Sequence, residues 1–232
     1  RVASAYRPSG LSPFVPVADA TFESDALQSR ELGGRYASSD GRVSLGATAY
    51  LANWSHIQSD YLLPNGLIAT RNSGTGQIFG IETRIKRVFG QVSLEAGLML
   101  QHARLEKPEP GLIFPDEIRL PIVPGIKGHL IARYAVPVKT GSFDLVGQFN
   151  HIGRTQLSLD PALNRHTAAR ETIDLDARRI WNGWTVAVGA TNVLNSHRNS
   201  FSFGNQFALT PLTQSTPLRP RTVYLSLGRS WH

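Results

Sequence analysis

Apolar and polar residues alternate with a period of two along almost the whole chain. This pattern restricts the fold more than any other feature, because side chains two apart share one face of a strand and no helix has that period. Residues 42–54 set Val43, Leu45, Ala47, Ala49 and Leu51 against Ser44, Gly46, Thr48 and Tyr50. Residues 91–104 oppose Val92, Leu94, Ala96, Leu98 and Leu100 to Gln91, Ser93, Glu95, Gly97 and Gln101. The pattern returns at 141–154, at 183–194 and in the last stretch, where Val223, Leu225, Leu227 and Trp231 alternate with Thr222, Tyr224, Ser226 and Ser230. Weaker versions at 27–38, 75–88, 126–137 and 168–180, with a short start at Arg1 to Tyr6, bring the expected strands to ten. Most run about 12 to 14 residues, against ~5–6 for an average strand of a globular protein, and ~9–11 tilted residues already cross a bilayer.

The connections alternate as well. Tight turns are expected at Ser39-Asp40-Gly41, Val88 to Gly90, Lys139-Thr140-Gly141 and Asn182-Gly183, where Gly or Asn supplies the positive φ of a hairpin. Long segments fall between them, at about 7–26, 59–74, 105–125, 155–167 and 195–220. One end of the sheet is trimmed and the other elaborated, which is how an outer-membrane barrel places short periplasmic turns opposite long extracellular loops. Tyr36, Tyr50, Trp54, Tyr61, Phe89, Tyr134, Trp181, Trp184 and Trp231 stand near expected strand ends, where interfacial girdles sit, although aromatics also favour strands in their own right.

Composition removes several classes. Mean hydropathy is −0.17 and no run approaches the ~18 apolar residues of a spanning helix, which excludes a helical membrane protein and leaves a barrel open. The 24 Lys and Arg outnumber 17 Asp and Glu, a net charge of +7, but they are scattered among acids, so a nucleic-acid patch is not expected. Cysteine is absent, which removes disulfides, thiolate metal sites and a thiol nucleophile. The chain opens on Arg1 inside a strand pattern and is expected to be a piece of something longer.

Four segments then resemble the C-terminal part of the β-barrel of TonB-dependent outer-membrane receptors. They are Glu31-Leu32-Gly33-Gly34-Arg35-Tyr36 after the loop at 24–30, Asn72-Ser73-Gly74 followed by Gly80-Ile81-Glu82, Ala190-Thr191-Asn192-Val193-Leu194-Asn195, and Pro217-Leu218-Arg219-Pro220-Arg221-Thr222-Val223. Their order covers essentially all of residues 1–232 as one barrel segment. The resemblance implies an all-β antiparallel transmembrane barrel, with these ten strands as the last of ~22 around a plugged lumen. It implies a Gram-negative outer-membrane importer of a ferric siderophore or another scarce solute, without enzymatic activity, whose plug domain is driven by the TonB-ExbB-ExbD complex. Two departures stand out: no plug is present, and the end reads Ser230-Trp231-His232 where such barrels usually close on an aromatic. Two other readings stay open, a non-transporting structural or adhesive barrel closed by ten strands and a soluble carbohydrate-binding β-sandwich.

Catalytic and metal patterns are missing. The histidines at 56, 102, 129, 151, 166, 197 and 232 show no spacing that brings two ligands to one metal, and no Gly-x-Ser-x-Gly elbow exists. Asp174 and Asp176 share a face with Arg178 and could do acid–base work, but a charged lumen wall is the expectation. Glu82, Arg84, Lys86, Glu95, Gln101, Lys127, Arg133, Asp144, Gln148, Asn150, Asp174, Asp176 and Arg178 would line that wall. No cofactor is expected, and ligand contacts would fall in loops such as Leu105 to Asp116 or Gln206 to Arg219.

Overall fold

The computed structural model describes residues 1–16, 19–112, 118–201 and 216–230. Ten strands form one antiparallel sheet in chain order. They are β1 (Val2–Arg7), β2 (Asp25–Ala37), β3 (Val43–Ser55), β4 (Gly74–Phe89), β5 (Val92–Pro108), β6 (Ile126–Val138), β7 (Gly141–Ile152), β8 (Arg170–Trp181), β9 (Trp184–Thr191) and β10 (Thr222–Arg229). Every expected strand is present. β4 and β5 run further than the pattern predicted, to 16 and 17 residues, because their ladder continues from Gly76 with Leu105 to Gly74 with Pro108. β9 stops short, because Asn192 takes positive φ and turns the chain.

The tight turns lie where Gly and Asn placed them, with Gly41, Gly90, Gly141, Asn182 and Gly183 all at positive φ. Gly141 is the strictest: at φ +130 a Cβ would run into the Ile180 carbonyl of the neighbouring strand, so only glycine fits. The long connections fall where expected and have structure of their own. Four of them carry two-stranded ladders, at Gly10–Leu11 with Thr21–Phe22, Gln58–Leu62 with Ile68–Asn72, Thr155–Gln156 with His166–Thr167, and Asn199–Phe201 with Thr216–Pro217.

Register sorts the side chains into two faces. One row across the sheet reads Tyr36, Leu45, Ile85, Ala96, Leu130, Phe149, Ile173. The adjacent row on the other face reads Ala37, Ser44, Lys86, Glu95, Ile131, Gln148, Asp174. Apart from Ile180 and Tyr224, the exposed large hydrophobics of the ten strands lie on the apolar face, with Leu32 82% and Leu225 76% exposed. A water-soluble sandwich would cover that face with a second sheet about 10 Å away, and none is present among the described residues. β1 and β10 stand at the two edges of the sheet, so a ten-stranded closure is not what the chain forms.

The apolar face ends in aromatics on the short-turn side. Tyr36, Phe89, Tyr134 and Trp184 stand there, with Arg87 over Phe89 at 4.5 Å and Arg229 over Trp184 at 4.9 Å, a pairing suited to a boundary between apolar and charged surroundings. Tyr50, Trp54 and Tyr61 do not stand in a girdle on the apolar face, against the expectation. Tyr50 pairs with Gly80 on the polar face, the Trp54 indole donates to Asp25, and Tyr61 belongs to a loop hairpin under Arg71. Trp231 lies outside the described residues.

Among the described residues the packed core lies where the long connections fold over the polar face. Ile57, Leu120 and Leu159 are buried against Ala103 and Leu105 of β5, with Trp54, Ile78, Ile118 and Val123 around them. Ala52, Ile78 and Ala103 form one register row, and Leu62 N–H donates to Asp160 at 2.8 Å across 98 residues. The loops therefore make a rigid layer over one end of the polar wall.

Candidate functional site: the polar wall and its loop cover

The register brings all the residues expected to line a lumen to the same face. A recurring device organises them. On the polar face Tyr50, Gly80 and Gln101 are consecutive partners on β3, β4 and β5. A Cβ at Gly80 would run into the Tyr50 ring, so glycine lets that ring lie across β4, where its hydroxyl donates to Gln101 Oε1 at 2.6 Å. Gln101 passes the bond on to the Pro124 carbonyl at 2.9 Å, fastening the wall to a loop. At the other side of the sheet Tyr224 crosses Gly189 to reach Asp176 at 2.7 Å. The His129 imidazole covers Gly97 in the same way. Sequence reading missed this device, because it joins residues on three strands and needs the register to be visible.

Gly80→Ala is expected to push the Tyr50 ring off the wall and lower stability by about 1–2 kcal/mol through the lost hydrogen bond. Gly34→Ala, where a Cβ meets nothing within 4 Å, is expected to change little. Thermal unfolding of both variants in detergent micelles checks this, and equal shifts would remove the special role of Gly80.

The charges on the wall are mixed and close. Glu95 lies 3.6 Å from Arg84 and 3.8 Å from His129, and Asp176 lies 3.9 Å from Arg178. These side chains are partly exposed, so the pairs add little to stability and leave charge available to whatever fills the space. A concavity of about 580 Å³ runs along this wall, lined by Glu82, Arg84, Met99, Lys127, His129 and Arg170 among others. The carboxylates at 174 and 176 are engaged: Asp174 accepts from Asn192 N–H at 2.8 Å and Asp176 from Tyr224. Among the described residues no group of three metal-ligating side chains converges.

The four motifs occupy structural joints. Asn72 accepts from Glu23 N–H at 2.7 Å and donates to the His56 carbonyl at 2.7 Å, while Gly74 at φ +123 leaves no room for a Cβ beside the Lys107 carbonyl. Asn192 donates to the Ser196 and Arg219 carbonyls and accepts from Ser196 N–H. Asn195 accepts from Arg221 N–H at 3.1 Å. The pair thus clips the end of β9 to the start of β10. Glu31 lies 4.0 Å from Arg1 across the first strand pair.

The loop cover is anchored at Asp25, which is 2% exposed. It accepts from Arg7 through Nε at 2.8 Å and through Nη2, from Trp54 Nε1 at 3.1 Å and from Gln58 N–H at 3.4 Å. Burial pushes its carboxyl up, but the Arg7 guanidinium, the indole and the amide together outweigh burial and hold it below the usual carboxylate value. Of the loops expected to hold ligand contacts, Leu105 turns into the buried core and Leu218 N–H bonds to the Arg198 carbonyl. Residues 113–117 and 202–215 lie outside the described residues.

No family model and no curated protein matches the chain by sequence. Solved structures match over nearly its whole length. The ferric yersiniabactin uptake receptor of Yersinia pestis shares 18% identity at a TM-score of 0.66, over 98% of this chain and 32% of the receptor. The ferric-catecholate import receptor of E. coli K12 shares 16% at 0.71, over 98% and 32%. The copper transporter OprC shares 13% at 0.73, over 99% and 36%. At such identities the likeness is one of fold: the chain has the architecture of part of the TonB-dependent receptor barrel. It spans about a third of the length of these receptors.

Proposed function

We propose that this chain is the C-terminal part of the barrel of a TonB-dependent receptor that imports a scarce solute across the outer membrane of a Gram-negative bacterium. The observation that carries the reading is the fit of ten strands, over 98% or more of the chain, onto about a third of receptors for ferric yersiniabactin, ferric catecholates and copper. A metal chelate such as a ferric siderophore is the solute class those neighbours favour. The face assignment supports the same reading, since lipid suits the apolar side and water or a plug suits the charged wall. In lipid the free backbone groups at the edges of β1 and β10 need partners, which the remaining strands of a larger barrel supply.

The proposed mechanism is binding and passage, with no bond made or broken in the solute. The loop layer receives the solute, and mixed-sign wall residues such as Arg84, Glu95 and Arg178 hold a plug through reversible ion pairs. The TonB-ExbB-ExbD complex acts on that plug.

The test follows the native protein with an antibody to its C-terminal region. An outer-membrane band well above 25.4 kDa, whose mobility shifts on heating, is expected. Deletion of the gene is expected to abolish growth on one ferric siderophore as sole iron source. A soluble band at the mass of this chain, present without detergent, would sink the reading.

A further inference from the structure

We propose that Arg119, Arg154 and His166 form an oxyanion site in the loop layer that takes a phosphate group. These three side chains line one cavity of about 260 Å³ together with Thr155, Gln156, Leu120 and Val123, and no carboxylate lines it. The cavity is too small for a whole metal chelate, since pockets for molecules of drug size span ~300–1,000 Å³, and it suits a single tetrahedral anion. The site lies outside the wall concavity and does not depend on which solute the barrel imports.

Charge and framework both favour an anion. The segment 153–170 carries Arg154, Arg165, His166 and Arg170 against one acid, Asp160. That acid is committed elsewhere, accepting from Leu62 N–H and from Ala162 N–H, each at 2.8 Å. Neither Arg119, Arg154 nor His166 has an ion pair or a side-chain hydrogen bond with a described residue, although all three are exposed at one place. The backbone that carries them is fixed. Gly153 N–H bonds to the Ile126 carbonyl, Ile122 N–H to the Gln156 carbonyl, and Leu157 N–H to the Arg165 carbonyl. The Gln156 amide bonds to the Arg119 carbonyl, with fully buried Leu120 and Thr167 beneath. A backbone already fixed spares the cost of ordering the loop when an anion arrives, so that only the side-chain rotamers have to be ordered. Two guanidinium forks match the geometry of phosphate oxygens, and the His166 ring adds an N–H donor.

The phosphate group has two sources, free inorganic phosphate or the headgroup of an outer-leaflet lipid such as lipid A. The full-length protein carrying this chain is titrated with inorganic phosphate in detergent micelles by calorimetry. In parallel it is reconstituted in nanodiscs of phosphatidylethanolamine with and without lipid A, and retained lipid A is counted by native mass spectrometry. Saturable binding in either arm is expected, and the arm that responds identifies the source. Arg119→Gln with Arg154→Gln should weaken it at least tenfold, and Arg119→Lys with Arg154→Lys, which keeps the charge but lacks the forks, should restore only part of it. Arg165→Gln, whose guanidinium bonds to the Asn164 carbonyl and does not line the cavity, should stay within twofold of the native protein. All variants are first shown to keep the heat-shifted band. No saturable binding in either arm, or equal loss in Arg165→Gln, overturns the site.

Discussion

Leu225→Arg is expected to stop the protein from assembling as a folded barrel, whereas Ser226→Arg, one residue on, should leave most of it assembled. Leu225 is 76% exposed and pairs with Val188 on the apolar face, while Ser226 pairs with Ala187 on the polar face. If lipid covers the apolar face, an arginine midway along β10 sits near the bilayer midplane, where it costs roughly 2–4 kcal/mol on the lipid side and little in the lumen. One position along the strand thus exchanges the two solvents. The heat-shifted fraction of each variant in the outer membrane measures the difference. Equal losses would show that the two faces have been assigned wrongly.

That prediction rests on information already present in the sequence. The opposition of Val223, Leu225 and Leu227 to Thr222, Tyr224 and Ser226 fixes which side chains share a face, and the register confirms it for every long strand. Strand order was equally legible, because tight turns at Gly41, Gly90 and Gly183 leave neighbouring strands nowhere to go but antiparallel to each other. The loop layer was not. The core around Ile57, Leu120 and Leu159 joins three loops far apart in the chain, and no local period marks a residue that packs against another loop. Tyr50 and Trp54 show a different case, in which the face was legible but the partners were not. Near the end of a strand they resemble girdle residues, but their parity with Thr48 turns them to the polar wall, where only the register shows that Gly80 and Asp25 receive them. The family motifs were visible for a different reason than function. Asn72, Gly74, Asn192 and Asn195 hold turns and strand ends of the sheet, so the motifs report architecture and carry no information about a solute.

The second large effect is expected at Asp25, through the loop cover rather than the barrel. Asp25→Asn keeps the volume but weakens the acceptor for Arg7 and leaves the Trp54 indole and Gln58 N–H competing for one amide oxygen. Arg7 is half exposed, so water takes over part of its solvation; the buried donors carry the rest, about 2–3 kcal/mol. The cost should appear locally. Arg7 also donates to the Gln58 carbonyl at 3.1 Å, so the hairpin Gln58–Leu62 with Ile68–Asn72 is what Asp25 ties to β1. The variant should expose this hairpin's amides to hydrogen exchange and speed proteolysis at its tip near Gly66, while the amides of β5 to β8 keep their protection. Acid should reproduce the effect in the native protein. The Asp25 carboxyl titrates lower in the folded chain than the ~3.9 of an unfolded one, so its contribution is complete above that value and is lost as pH falls through the folded one. Hairpin protection in Asp25→Asn should lack this acid-dependent step. A native protein and a variant with the same hairpin protection at neutral pH would show that the carboxylate is not what holds the loop cover down.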